Sequence, residues 1–589
     1  MKIGAQYRGG GRCSFSLFAP FPELIDVKIL CGEDKIIPME KGQGGYWKLR
    51  LNNVYPGTKY FYRLNGAVLR PDPASNCQPE GVDGPSEIID HNKFRWQDGG
   101  WEGVPAGKMV IYELHVGAFS DKGDFDSIVH RLDELKDLGI NAIEIMPIGQ
   151  FSGDRNWGYD GVYPFAVQNS YGRPDEFKRL VNEAHKRGFA VILDVVYDHA
   201  GPEGNYFSDF GPYFDGRNKT PHGNAFNFDG AFGNEVRNFF IQNALYWFDV
   251  FHIDALRLDA DVLYGISAKP FLEELSEKTA QLSKKKNKKF LLTAESKLND
   301  ARLTRPRPEG LGFDAQWCND FHHAIHALLT KEKNGYYIDF GSYRHFKKAF
   351  KRGFVYLWEY SNFRRHRYGS SCSDTPPERL VVFSQNHDQV GNRPDGGRLS
   401  GIVPFEALKL SAAAVLLSPY IPLLFMGEEY AEESPFLYFV SHSDPKLLEA
   451  VRRGRIEEYS SFLLPEDIKS FLRSKLKWEK RREGKNKILL NFYRELIGLR
   501  PNEEEKAAKT IEDFQRLNLL VCNYRKMVCV MSFNIKEKSI RLKLPPGNWK
   551  KILDSSEKKW AGPGNDLAGF VADGDRINVK PLSVVVYKA

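Results

Sequence analysis

Apolar and polar residues follow two rhythms along this chain. From residue 13 to 64 they alternate in short runs, CSFSLFAP, DVKIL, YWKLRL and KYFYRL, with turn residues such as Asn53 and Pro56-Gly57 between them. That pattern predicts a small antiparallel β-sandwich. Residues Asn92 to Lys108 are rich in Gly, Trp and polar side chains and read as a linker. At Met109 the rhythm changes. MVIYELHV is a buried strand, and Phe125, Ile128, Leu132, Leu135 and Leu138 follow at helical spacing. Then come NAIEIMPI, a helix near 175–187, FAVILDVVYD, a helix near 233–249, IDALRLD, a helix near 270–282, and FLLTAES. FDAQWC, LVVFSQNHD and PLLFMGEE complete eight strand candidates.

Buried strands alternating with helices predict an α/β fold, a parallel sheet closed as a (β/α)8 TIM barrel. An open doubly wound sheet is the alternative, but it would want a Gly-rich phosphate loop after the first strand, and ELHVGAFS has none. Two connections exceed plain barrel loops, from about His199 to Asn234 and from about Thr330 to Glu378. Long loops on the carboxyl side of a barrel usually build its cleft. The helix KILLNFYRELIGL would close the barrel, and from about Asn518 the pattern is β again. The expected division is 1–97 for the sandwich, 98–503 for the barrel and 504–589 for a C-terminal β-domain.

Composition narrows the class. The 589 residues are 42% apolar and 27% charged, and the 13% aromatic share excludes a disordered chain. A net charge of +7 is too dilute to argue for nucleic acid. No window approaches the apolar run a membrane span needs, and MKIGAQYRGGGRC lacks the core of an export signal. The seven cysteines are scattered, with no Cys-x-x-Cys pair, and read as reduced thiols of a cytoplasmic protein.

Four strand ends carry the candidate chemistry: Asp198 and His199 in DVVYDHAG, Arg257 and Asp259 in DALRLDA, Glu295 in AES, and His387 and Asp388 in QNHDQVGN. The mouth of a barrel at its strand C-termini is where barrel enzymes work. Strand side chains alternate, so Arg257 and Asp259 point the same way. A cation beside a carboxylate keeps it ionised and fit to be a nucleophile. Glu295, from the next strand, could hold a proton if a substrate desolvates it. Two such carboxyl groups are the minimum kit for glycoside hydrolysis. Trp157, Tyr159 and Tyr163 in NWGYDGVYPF offer rings on which the apolar faces of sugars could stack.

These segments, DVVYDH, ALRLDA, LLTAES and FSQNHD, resemble in order the signature segments of the α-amylase family of glycoside hydrolases. The resemblance covers nearly the whole chain. It implies Asp259 as nucleophile, Glu295 as acid/base and Asp388 as the carboxylate that grips sugar hydroxyls at the cleavage site. It implies His199, Arg257 and His387 as a polar shell and Tyr159 as a stacking ring. Further stretches, RPDPASNCQPEGVDGPS, AESKLNDAR, DAQWCNDFHHAIHALLT and above all MGEEYAEESPFLYFVSHSDPKLLEAVRRGR (426–455), resemble the maltooligosyltrehalose trehalohydrolase branch of that family. That branch implies retaining hydrolysis of the α-1,4 bond next to the terminal trehalose of maltooligosyl trehalose. The products would be trehalose and a shortened maltooligosaccharide. It implies sugar contacts from Trp157, Asp320, His322, Gln389, Asn392, Glu428, Phe436 and Tyr438, no cofactor and no required metal. It also implies a pathway shared with a maltooligosyltrehalose synthase, without a complex. Departures are Asp198 where Asn is usual, Ala255-Leu256 where Gly-Phe is usual, Asp261 where an apolar residue is expected, and Lys297 where an acid is usual.

Two other readings stay open on sequence alone. One is a glycogen branching or debranching enzyme with the same barrel and trio, against which the 426–455 segment argues. The other is a non-catalytic glycan-binding protein, against which the presence of both Asp259 and Glu295 argues.

Overall fold

The computed structural model describes the chain except for Met1, Cys31, Pro221, His222, Asp261, Val262, Ala508 and Asp566. The expectation concerning Asp261 therefore falls outside the described residues. Eight parallel strands close into a barrel in chain order. They are β1 (Ile111–Leu114), β2 (Ala142–Ile145), β3 (Ala190–Val195), β4 (Ala255–Asp259), β5 (Leu291–Glu295), β6 (Ala315–Trp317), β7 (Leu380–Val382) and β8 (Ile421–Phe425). β8 pairs with β1 and removes both sheet edges. Each of the eight apolar runs in the sequence became a barrel strand. The open-sheet alternative is thereby excluded.

The lower barrel interior is apolar. Ile111, Ala142, Ala190, Ile192, Ala255, Leu291, Ala315, Trp317, Val381, Ile421 and Leu423 form one buried cluster. Small alanines opposite larger side chains let these layers interdigitate. The floor comes from outside the barrel. Trp101, Val104 and Ala106 of the linker pack against the cluster. Trp101 Nε1 donates to Asp254 Oδ1 at 2.8 Å, and its ring stacks on His185. Asp98 accepts from both His185 and His252.

Before the barrel, a four-stranded and a five-stranded antiparallel sheet face each other. Phe15 and Tyr60 meet edge to face across them. Gly4–Tyr7, Lys35–Pro38 and Val68–Arg70 join the strands expected there; their short, polar runs carry no clean alternation. This layer leans on the connection after β3: Tyr213 donates to Phe18 O at 3.0 Å, and Tyr46 donates to Glu235 of helix Gly233–Val250. That connection holds a hairpin, Phe214–Thr220 with Gly223–Phe226. The connection before β7 holds helix Tyr343–Arg352 and a second hairpin, Glu359–Ser361 with His366–Tyr368.

After helix Gly484–Gly498, a six-stranded sheet and a two-stranded ribbon enclose a separate apolar core of Val521, Val528, Val530, Ile540, Ile577 and Val585. Lys409 docks this unit. Its side chain is fully buried in helix Phe405–Leu416, and Nζ donates to Ser555 O at 2.6 Å and Trp560 O at 2.9 Å. Removing a buried donor strands its acceptors and costs about 1–3 kcal/mol for each group left unpaired. Lys409→Met should therefore lower the thermal unfolding midpoint measurably, while kcat well below that midpoint stays within about twofold. An unchanged midpoint would show that the carbonyls find other partners.

Candidate active site

The site is built on strand register. Asp259 and Glu295 are direct partners on β4 and β5, as are Arg257 and Thr293 two residues below. Neighbouring strands lie about 4.8 Å apart. Residues in register share a face, so both carboxyl groups enter the barrel mouth side by side. Glu295 is buried, and Asp259 is partly open to the cleft. Asn319 Nδ2, at the first turn of helix Asn319–Thr330, donates to Glu295 Oε1 at 3.0 Å.

Arg257 lies beneath this pair. Its guanidinium donates to both oxygens of Asp194, at 3.0 and 2.8 Å, and to Glu295 Oε2. It lies over the Trp317 ring, 4.6 Å from its centroid. Burial works against its charge, but Asp194, Tyr159 and Asp259 together hold its pKa well above the ordinary value. Tyr159 donates to Asp194 Oδ2 at 2.6 Å and meets His387 Nε2 at 2.8 Å. His387 is gripped from the other side: its backbone N–H and Nδ1 both reach the Glu113 carboxylate. Strands β1, β3 and β4 and the β7 loop are thus tied by one polar network, as a low-dielectric interior requires of buried charge.

Asp388 begins the cleft's third side. It sits on the short helix His387–Gly391, whose N-cap Asn386 accepts from Gln389 N. Asn392 Nδ2 donates to Asp388 Oδ1 at 2.5 Å. His199 binds Asp198 Oδ2 at 2.9 Å through Nδ1 and Tyr159 O at 2.9 Å through Nε2. The unusual Asp198 is thus engaged with the neighbouring imidazole. Burial lowers the His199 pKa, but Asp198, Asp160 and the Tyr159 carbonyl together outweigh it and the net shift is upward.

The Alpha amylase catalytic-domain family matches residues 85–223. A malto-oligosyltrehalose trehalohydrolase of Saccharolobus solfataricus is 49% identical over 489 residues, covering 83% of this chain and 85% of its own. The chain belongs to the malto-oligosyltrehalose trehalohydrolase family. Another trehalohydrolase, from Arthrobacter ramosus, is 41% identical over 81% of this chain and 86% of its own. The crystal structure of a putative alpha amylase from Salmonella typhimurium matches with a TM-score of 0.88 at 34% identity, covering 100% of this chain and 99% of that one.

Within this trehalohydrolase fold, Asp259, Glu295, Asp388, Arg257, His199, His387, Tyr159 and Trp157 cluster at the mouth or directly against it. Of the expected sugar contacts, Phe436, Asp320, His322, Glu428 and Gln389 are buried, and Asn392 and Tyr438 are half-buried. Phe436 is fully buried and stacks on Trp157 with centroids 5.1 Å apart; an apolar ring two places from Ser434 packs beneath the loop. Asp320 accepts from Val355 N, Tyr356 N and Asn299 Nδ2, so its carboxyl group anchors the second insertion. His322 spends both ring nitrogens on Ser384 O and Tyr337. Glu428 accepts from Ser384 and Tyr493, and burial pushes its carboxyl up to about 7. Asn392 is committed to Asp388 and, through Oδ1, to Arg455. Gln389 accepts from Tyr336 at 2.9 Å, and Tyr438 is half-buried beneath Arg455.

The network also uses residues that the motifs did not flag. Asp194, Glu113 and Glu144 are acids at inward positions of otherwise apolar strands. A buried strand that carries an acid must pair it or neutralise it, and that was the available signal. Burial, with Glu113 and Asp194 nearby, raises Glu144 well above the usual carboxylate range. Lys297, Tyr336, Phe363 and Arg364 form a recess beside Glu295's partner Asn319. Lys297, where an acid is usual, is exposed there, and its carbonyl accepts from Arg364. Among the described residues, no group of three or more His, Cys, Asp or Glu is placed to hold a metal ion.

The raised pKa of His199 fixes the sign of a pH effect. Its contribution to stability is complete below the ordinary value of 6.5 and is lost as pH rises through the raised folded value. The unfolding midpoint of wild type should exceed that of Asp198→Asn most below pH 6.5, and the gap should narrow at higher pH. A gap that does not vary with pH would show that Asp198 acts through packing alone.

Proposed function

We propose that this chain hydrolyses the α-1,4-glucosidic bond adjacent to the terminal trehalose of maltooligosyl trehalose, releasing trehalose with retained anomeric configuration. The observation that carries the reading is the register of Asp259 with Glu295 on adjacent parallel strands. Retaining glycosidases need their two carboxyl groups about 5 Å apart, whereas inverting enzymes leave room for a water between them. In-register neighbours on a parallel sheet suit the shorter spacing.

In this reading Asp259 attacks the anomeric carbon as Glu295 protonates the departing trehalose oxygen. Once a bound substrate desolvates them, two carboxyl groups this close favour sharing a proton, which Glu295 then delivers. Once Asp259 is spent in the glycosyl ester, Arg257 and Asn319 favour Glu295 as a carboxylate, the form that deprotonates the attacking water. Asp388 grips the sugar hydroxyls of the distorting ring, and Tyr159 lines the apolar side of the subsite, with Trp157 buried behind it.

The trehalose half of the substrate, rather than a plain glucan end, is proposed from the relatives. The sequence similarity extends through the 426–455 segment, which the fold lays beside Asp388. A maltooligosyltrehalose synthase would supply the substrate, with no complex implied. The six described cysteines are free and buried, which suits a reducing cytoplasm. Among the described residues, no helix is long and apolar enough to cross a membrane.

Incubation with maltotetraosyl trehalose should yield free trehalose, and maltohexaose should be attacked far more slowly. Proton NMR at early times should show the α-anomer of the shortened glucan. Asp259→Asn and Glu295→Gln should each reduce turnover by about a thousandfold or more without loss of fold. Equal attack on both substrates would reduce the reading to a general glucan hydrolase. Initial release of the β-anomer would overturn the double displacement.

A further inference from the structure

Helix Pro445–Tyr459 buries a single side chain among its fifteen residues, and that side chain is an arginine, Arg455. Surface helices ordinarily dock through an apolar stripe. This one docks through a guanidinium. Arg455 Nη1 donates to Asn392 Oδ1 at 2.5 Å, and Nη2 donates to Gly391 O at 2.9 Å. The rings of Tyr438 and Tyr459 flank it, 4.7 and 4.3 Å from its centre. Both ends of the helix are fixed. Ahead of it, His442 lies between Asp160 and Glu203 from the β2 and β3 loops. Behind it, Ser461 donates to Pro394 O.

We propose that Arg455 is a positioning residue that acts on Asp388 through Asn392. The logic is one of donors and acceptors. A guanidinium can only donate, and an ionised carboxylate can only accept. An amide placed between them must turn its oxygen to Arg455 and its NH2 to Asp388, and that is the arrangement found. Arg455 therefore anchors Asn392 by its oxygen in the orientation in which Asp388 is held. Without it the Asn392 side chain loses that anchor and is free to swing away from the carboxylate. The inference deepens the proposed function and rests on Asp388 acting at the cleavage site. It assigns to the 426–455 segment the task of aiming that carboxylate from outside the barrel.

Asp388 would contact sugar hydroxyls most strongly in the distorted state, so loss of its aim should fall on kcat rather than KM. The full-length enzyme, assayed on maltotetraosyl trehalose, tests this with a mutant cycle. Arg455→Met and Asn392→Ala should each lower kcat about tenfold with KM nearly unchanged, and the double variant should lose no more than Asn392→Ala alone. Arg455→Lys, which keeps a cationic donor, should recover most of the loss. Multiplicative losses, or a fall in activity that merely tracks the unfolding midpoint, would overturn the proposal. Should Arg455→Met not fold, an unchanged kcat in Asn392→Ala would overturn it equally. Asp388→Asn separates the two levels: if it is fully active, the reading of Asp388 itself fails. If it is inactive while the cycle is multiplicative, only the role of Arg455 fails.

Discussion

A single buried cation organises this molecule. The Arg257 guanidinium sits inside a barrel whose inward acids would otherwise repel one another. It joins Asp194 to Glu295, lies beneath Asp259, and is covered by Trp317. Removing one partner from a buried ionic network leaves the remainder uncompensated, typically at several kcal/mol. The members of this network hold one another in place: Tyr159 donates to Asp194, and His387 meets Glu113 and Tyr159, while burial holds Glu144 toward its neutral form. Charge that would destabilise an apolar core is concentrated at the one level of the barrel where chemistry needs it.

From that level the structure divides by polarity along the barrel axis. Below Arg257 the interior is alanine, isoleucine, leucine and tryptophan. Above it the loops carry acids, amides and aromatic rings. The two long insertions and the 426–473 region supply the walls. Each is tied to the barrel by polar anchors at its base: Asp320 under the second insertion, Glu203 and Asp160 around His442, Trp157 Nε1 on Leu437 O. Polar anchoring suits loops that must keep their rings facing a wet cleft, since an apolar anchor would draw those rings inward.

Much of this was legible before any coordinates. Runs of buried-strand length gave all eight barrel strands, because a parallel strand covered on both faces must be apolar throughout. The strand-end acids were legible for the same reason: Asp259 and Glu295 break such runs at their carboxyl ends. The inward acids were harder. Asp194, Glu113 and Glu144 lie inside the runs, where one polar letter resembles tolerated noise, and only the barrel closure shows that they converge. The loop contacts were least legible. Phe436 and Tyr438 are both aromatic and two residues apart, yet one is sealed under Trp157 and the other flanks Arg455. Which ring turns inward depends on a tertiary neighbour that periodicity does not encode. For Asp320, His322 and Glu428, the family resemblance implied sugar contacts, but burial leaves their polar atoms to the protein itself.

The floor of the barrel has a consequence for how such proteins can be recombined. Trp101, Val104 and Ala106 precede the first strand, yet they close the lower end of the barrel interior. By sequence the segment belongs to a connector; by packing it is a stopper. A gene fusion that joined a foreign N-terminal module at Met109 would leave that interior uncorked, with Ile111 and Ala142 facing water. A junction near Asn92 would carry the stopper along with the barrel. The usable seam between the sandwich and the barrel therefore lies some residues upstream of the point where the barrel's own strands begin.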